Sequence, residues 1–348
     1  MKYHLISGAC GFVGKNFVKH FLENTSDTII AVDDLSIGTH PSTWLEDKTS
    51  KKNNDAEIFG KDERLIFFKM DFRVFLKNLL ENPNYFIEKF NLNFTKFNDV
   101  FHFAAIVGGR AKIDGDPLAV ALDLAIDAEF FHWVIRAKPE RVLYPSSSAA
   151  YPNSLQKEET AVALKETDVN VNGEILGKPD MTYGWTKMTG EYLAHLAAKH
   201  YGISVVCIRP FSGYGEDQDL SYPVPAIAAR AARKENPFEV WGSGKQGRDF
   251  VHIDDVVECT LLAMDKIHDG SAINIGSGKL TTFIDLINLF AKFAEYNPTI
   301  KPLTDKPVGV HSRYCNMDYV KEKLGWEPKI SLEEGMKRVY NKALEQHV

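Results

Sequence analysis

The chain has 348 residues, 41 Lys and Arg against 47 Asp and Glu, a formal net charge of -6, and 44% hydrophobic residues. That length is enough to bury a full core as one large domain or two modest ones. The ordinary composition excludes disordered, collagenous and disulfide-scaffold classes, and the acidic balance argues against a protein that coats nucleic acid.

The four cysteines, Cys10, Cys207, Cys259 and Cys315, form no C-x-x-C pair. A reduced, cytoplasmic setting is therefore expected. Met1-Lys2-Tyr3-His4-Leu5-Ile6 lacks a signal-peptide layout. No stretch approaches the roughly 18 apolar residues of a membrane span. A soluble protein with no metal, no membrane partner and no nucleic-acid partner is the expectation.

In chain order, residues 3–6, 28–32, 65–69, 100–103, 141–144 and 204–208 read as short buried strands. Helical patterns lie between them at 15–24, 116–136 and 182–200. This alternation predicts an α/β fold with a doubly wound parallel sheet. Residues 39–64, rich in Lys, Asn and Asp, read as a surface excursion after the second strand. Residues 78–98 read as extra helix and loop. After Tyr214 the prolines at 223, 225 and 237 and the glycines at 242, 244 and 247 predict a smaller, irregular lobe. The expected division is 1–215, with about 249–275 added to it, and a lobe over 216–348.

Ser7-Gly8-Ala9-Cys10-Gly11-Phe12-Val13-Gly14 joins the first strand to the first helix. Glycines at 8, 11 and 14 permit a tight turn and close backbone approach to a pyrophosphate, which the helix N-terminus then attracts. Asp33 follows Gly14 by 19 residues, at the end of the next apolar run. A carboxylate there accepts the adenine ribose hydroxyls and repels a 2′-phosphate, which predicts NAD over NADP.

These residues make the chain similar to the extended short-chain dehydrogenase/reductase family, the NAD-dependent nucleotide-sugar epimerases and dehydratases. Asp33-Asp34-Leu35-Ser36-Ile37-Gly38 resembles that family's D-N-L-S-x-G, and His102-Phe103-Ala104-Ala105 resembles its H-x-A-A stretch. The resemblance runs on through Leu324-Gly325-Trp326-Glu327-Pro328. It implies a Rossmann sheet with a C-terminal substrate-binding lobe. It further implies that Asp71 meets the adenine and that Ala104 and Ala105 lie under the cofactor.

Tyr183 and Lys187 stand one helical turn apart on one face. A nearby ammonium stabilises a phenolate and makes it a usable general base, and the same lysine can hold the nicotinamide ribose. Ser146-Ser147-Ser148 follows the fifth strand at the sheet edge where such folds place ligands. In the family the catalytic hydroxyl precedes a tyrosine by four positions. Counting back from Tyr151 selects Ser147, with Ser148 second and placed to touch substrate; Tyr151 itself reads as structural.

Relatives that eliminate water carry an acid just after that hydroxyl, because a carbon proton leaves while a hydroxyl is protonated. The 3,5-epimerases and GDP-fucose synthases carry Cys where Ala149 sits. Here the two positions are Ser148 and Ala149, so hydride transfer with one proton acceptor is what the residues support. Reversible C4 oxidation with 4-epimerisation of a nucleotide hexose leads. A C4 dehydrogenase or reductase and a GDP-sugar 3,5-epimerase follow, the latter because Ile106-Val107-Gly108-Gly109-Arg110 resembles the V-G-G loop of the GDP-sugar enzymes. A non-catalytic NAD-binding sensor is the remote alternative.

In the lobe, Arg248-Asp249-Phe250-Val251-His252 resembles the motif whose arginine pairs with the substrate diphosphate, and Arg313 falls where a second such arginine is expected. Ser212 replaces the family's diphosphate-contacting Asn, Asp123 replaces a supporting Asn, Thr182 replaces a proline, and His252 reads as packing. The family pairing of the 116–136 and 182–200 helices implies a homodimer.

Overall fold

The computed structural model describes residues 1–53, 55–92, 96–106, 115–306 and 308–346. Its main sheet has nine strands in the order Asp269–Ile275, β8, β7, β6, β1, β2, β5, β4, β3. Here β1 is Tyr3–Ser7, β2 Thr28–Asp33, β3 Ser50–Asn53, β4 Ala56–Phe59 and β5 Leu65–Lys69. β6 is Asp99–His102, β7 Arg141–Pro145 and β8 Val205–Pro210. Seven strands pair in parallel, and β4 and β3 are antiparallel additions beyond β5. The chain winds from β1 outward to β5 and then returns to β6 on the other side of β1. The crevice between the C-terminal ends of β1 and β6 is therefore the switch point where such sheets bind ligands.

The parallel strands are continuous apolar runs because helices cover both faces. All six residues of β2 are buried. Alternation within each strand divides the core. Ile6, Ile29, Phe101 and Leu143 face Phe17 and Val18 of α1 (Phe12–Asn24). Leu5, Ile30, Val100 and Val142 face Phe130 and Trp133 of the Asp123–Ala137 helix. A third cluster joins Val224, Ile227, Phe238, Leu286, Phe290, Met336 and Val339 at the C-terminal end of the chain. Segments near the C-terminus also return to the sheet: Cys315, Met317, Val320, Leu324 and Trp326 pack with Val256 and Ile273 in the first cluster.

Two local expectations are revised. Residues 39–64 do more than cover the surface: β3 and β4 form a hairpin that extends the main sheet, burying Ala56, Ile58 and Phe59. Asp123–Ala137 is one helix, but Pro117–Val120 is a separate short one, and the expected single helix over 116–136 breaks between them. Residues 78–98 contain the end of α2 (Phe72–Glu81) and the Tyr85–Phe90 helix.

Candidate active site

The loop between β1 and α1 is shaped by what glycine lacks. Gly8 has φ of +61°, and a Cβ there would lie 2.5 Å from the Phe103 carbonyl carbon. A Cβ on Gly14 would lie 2.2 Å from the Gly8 carbonyl oxygen. Gly11 caps α1 and brings no side chain of its own to the anion-attracting helix end, with Phe12 and Val13 forming its first turn. Asp33 ends β2 beside the loop, its carboxylate accepting from the N–H groups of Cys10 (2.9 Å) and Leu35 (2.8 Å). Burial pushes that carboxyl up, against the pull of the backbone donors. Asp71 caps α2 and pairs with Arg73 at 2.6 Å, which holds its carboxyl below the usual range. Ala104 and Ala105 follow β6, and the Ala104 N–H donates to Ser7 Oγ at 3.1 Å. A backbone too tight for side chains, a bare helix N-terminus and an acid at the second strand end together fit a dinucleotide.

The turn that follows Ser147 packs on the start of the Met181–Tyr201 helix, which carries Tyr183 and Lys187. Ser147 is half-buried and caps the Ser148–Ala150 turn, its Oγ accepting from the Ala149 N–H at 3.1 Å. The Asp180 N–H donates to the Ala149 carbonyl at 2.9 Å. A Cβ on Gly184 would lie 2.4 Å from that same carbonyl oxygen, so the glycine lets the helix seat directly on the turn. Tyr183 lies in sequence between these two contacts, in the first turn of the helix that seats on the Ser147 turn. Ser146 is turned away, giving its hydroxyl hydrogen to buried Glu191. Ser148 and Ala149 are buried.

Lys187 is buried with its Nζ 5.4 Å from the Tyr144 ring centroid and 5.7 Å from that of Tyr183. Burial would push the ammonium down, but the surrounding Tyr183, Asp127 and Asp123 outweigh it and hold the lysine above its ordinary value. Tyr151 is fully buried, donating to Asn274 Oδ1 at 2.6 Å and accepting from Arg209 at 3.0 Å, the structural place expected of it.

The substrate candidates also converge. Arg248 pairs across neighbouring strands with Arg313, the Asp249 N–H donates to the Arg313 carbonyl, and the Ser212 N–H donates to the Asp249 carbonyl. Their side chains have different company. Arg248 donates to the carbonyls of Gly247 and His311 and lies 5.8 Å from the Phe283 ring. The Arg313 guanidinium holds Gln156 at 2.5 Å and Asp180 at 2.9 Å, tying the long 152–180 insertion to the start of the catalytic helix. His252 caps the Ile253–Lys266 helix. In the 106–110 loop Ile106 donates its N–H to Asp123 at 2.6 Å, while residues 107–110 lie outside the described residues.

Three residues here were not among the expected site residues. Gly38 packs on the phosphate loop, where a Cβ would come 2.6 Å from the Cys10 carbonyl carbon. Tyr222 faces the site, and burial, with Tyr183 and Asp219 adding, pushes its phenol up to about 12. Asp127 bonds both His102 and Tyr144 beneath the lysine. Only Gly38 had a signal, as the last residue of the resembling D-N-L-S-x-G stretch. Among the described residues no cluster of His, Cys, Asp or Glu is placed to hold a metal ion, and no helix is long and apolar enough to cross a membrane.

The family model for the NAD dependent epimerase/dehydratase family matches residues 4–276. A putative UDP-glucose 4-epimerase of Methanocaldococcus jannaschii is 28% identical over 97% of this chain and 97% of its own length. A GDP-mannose 3,5-epimerase of Arabidopsis thaliana is 30% identical over 69% of this chain and 63% of its own. Among solved structures, the UDP-glucose 4-epimerase of Thermotoga maritima with UDP-glucose is 25% identical, with a TM-score of 0.79 over 99% of this chain and 100% of that one.

Proposed function

Because the chain belongs to the NAD-dependent epimerase/dehydratase family, we propose that it inverts C4 of a nucleotide-linked hexose. The enzyme uses NAD, whose bound nicotinamide supplies a reversible hydride acceptor beside the sugar. The proposal assigns the remaining work to this chain. Tyr183 takes the proton of the 4-hydroxyl and returns it, Ser147 bridges that hydroxyl, and Lys187 keeps positive charge beside the phenolate. Gly8, Gly11, Phe12, Val13 and Gly14 cradle the pyrophosphate, Asp33 takes the ribose, and Asp71, Ala104 and Ala105 line the cofactor. Ser148 borders the sugar, and Ser212, Arg248 and Arg313 edge the diphosphate side. In this reading the cofactor half is 1–215 with 249–275, and the rest is the substrate lobe.

One observation carries the choice of chemistry. The turn that presents Ser147 continues with Ser148 and Ala149, both buried and neither an acid or thiol. Elimination and carbon epimerisation each need a further proton-transfer group there, whereas C4 inversion does not. Incubation with UDP-, GDP-, CDP- and dTDP-hexoses, followed by NMR, should show C4 inversion without net cofactor consumption. Accumulation of reduced cofactor would make the protein a dehydrogenase, and inversion at C3 or C5 of a GDP-sugar would make it a 3,5-epimerase.

We also propose a cytoplasmic homodimer. Leu118, Leu124, Trp185 and Tyr192 are exposed large apolar side chains on neighbouring helices, with exposed Leu122 between two of them, more than a solvated face requires. The buried, unpaired thiols suit a reducing compartment. Sedimentation at micromolar protein should give twice the 39.2 kDa chain mass; a monomer would defeat the dimer.

A further inference from the structure

Lys187 has an unusual setting for a buried cation. Its ammonium lies, among the described residues, against two aromatic rings rather than in a bonded ion pair. Behind the Tyr144 ring runs a buried chain of hydrogen bonds. The Ala104 N–H donates to Ser7 Oγ (3.1 Å), and Ser7 Oγ lies 2.9 Å from His102 Nδ1. His102 Nε2 lies 3.1 Å from Asp127 Oδ1, and the Tyr144 O–H donates to Asp127 Oδ2 at 2.6 Å. Ser7, His102, Asp127 and Tyr144 are all almost wholly buried.

Burial favours neutral His102, pushing its pKa down against the pull of Asp127. A neutral imidazole with its hydrogen on Nε2 facing Asp127 leaves Nδ1 to accept from the Ser7 hydroxyl, which itself accepts from Ala104. Tyr144 stays a phenol, pushed up by burial and by Asp127. Asp127 is consequently a buried anion with two donors and, among the described residues, no bonded cation. Among the described residues, the charged and titratable groups around this pocket are Asp123 on its own helix, His102 from β6, Tyr144 from β7, Cys207 from β8, and Tyr183, Lys187 and Glu191 from the Met181–Tyr201 helix. Glu191 is bound to Arg209, which leaves Lys187, among the described residues, as the cation available to Asp127.

We propose that Asp127 is the counter-charge of Lys187, acting across the Tyr144 ring, and that it is a positioning residue for the Tyr183–Lys187 pair. The ring's oxygen is held by the carboxylate while its face carries the ammonium, so one rigid side chain spaces the two charges. Full contact would lock the lysine in an ion pair; this spacing balances its charge without taking up its N–H donors. Because Ser7 directly precedes Gly8, and Ala104 follows β6, the same chain of bonds joins the lysine's support to the cofactor cradle. The inference rests on the proposed role of Lys187 in the reaction, but the pairing itself is open to test without turnover.

The test is a double-mutant cycle in thermal stability, with Lys187→Met, Asp127→Asn and the double variant. Lys187→Met strands a buried anion and should lower Tm, and adding Asp127→Asn should restore most of that loss. A double variant no more stable than Lys187→Met would overturn the pairing, and this comparison stands even if Asp127→Asn alone does not fold. In turnover, Asp127→Asn should lower kcat by about tenfold or more, as loss of tuning of a general base does, while KM for the sugar nucleotide holds. An equal effect on both constants, or none on either, would reduce Asp127 to packing. If no nucleotide sugar is turned over by the parent protein, the functional reading fails, and the stability cycle still decides the pair.

Discussion

Two buried charged networks run beneath the Met181–Tyr201 helix one turn apart, and they are built on opposite terms. Glu191 is fully bonded: it accepts from Arg209 Nε at 2.8 Å, from Arg209 Nη2 at 2.7 Å, and from the Ser146 hydroxyl. Arg209 goes on to Tyr151, the Glu166 carbonyl at 2.9 Å and the Val169 carbonyl, so its fork is used up within the fold. Lys187, one turn earlier, faces rings and a carboxylate held at a distance by Tyr144. A charge whose hydrogen bonds are all satisfied braces structure, whereas one kept short of full contact remains able to act on a ligand. The helix carries both, and the spacing of its partners separates bracing from chemistry.

Breaking the bracing side should give the larger change. Arg209→Met leaves Glu191 buried and uncompensated and should cost about 3–5 kcal/mol of unfolding free energy, measured by urea denaturation, with little change in turnover per folded molecule. If stability were hardly altered, the bonded pair would not be the brace described.

A finer contrast lies within the serine triplet. Ser147→Ala should lower kcat about 10²-fold, at the low end for a group that assists proton transfer. Ser146→Ala should leave kcat near the parent value and cost about 1–3 kcal/mol, the penalty for a buried carboxylate that loses a donor. The reverse pattern, with turnover following Ser146, would break both the assignment of Ser147 and the separation of the two networks.

Much of this was legible in the chain itself. The six expected strands fall within a residue or two of the observed ones, because parallel strands buried on both faces read as apolar runs. The hairpin of β3 and β4 was hidden, since β3 contains Ser50, Lys51, Lys52 and Asn53 and is exposed, an edge strand whose polarity suppresses the strand signal. The break between the Pro117–Val120 and Asp123–Ala137 helices was likewise masked by apolar residues that continue across it, such as Leu118, Leu122 and Leu124. Arg313 shows the opposite limit. Its position points to a phosphate, and its guanidinium also bonds Asp180, 133 residues away, a partner that no local pattern reports.

By itself, then, the sequence determined the β–α alternation, the glycine loop, the acid after the second strand and the four-residue step from Tyr183 to Lys187. All of these are written in spacings shorter than one element or its connection. Tertiary structure alone decided which serine is engaged by Glu191, how the insertion is tied down by Arg313, and that Asp127 stands behind Lys187 through Tyr144. Those arrangements depend on side chains from separate strands and helices meeting in one dry space, where each buried polar atom must find its partner and the choice of partner sets the charge.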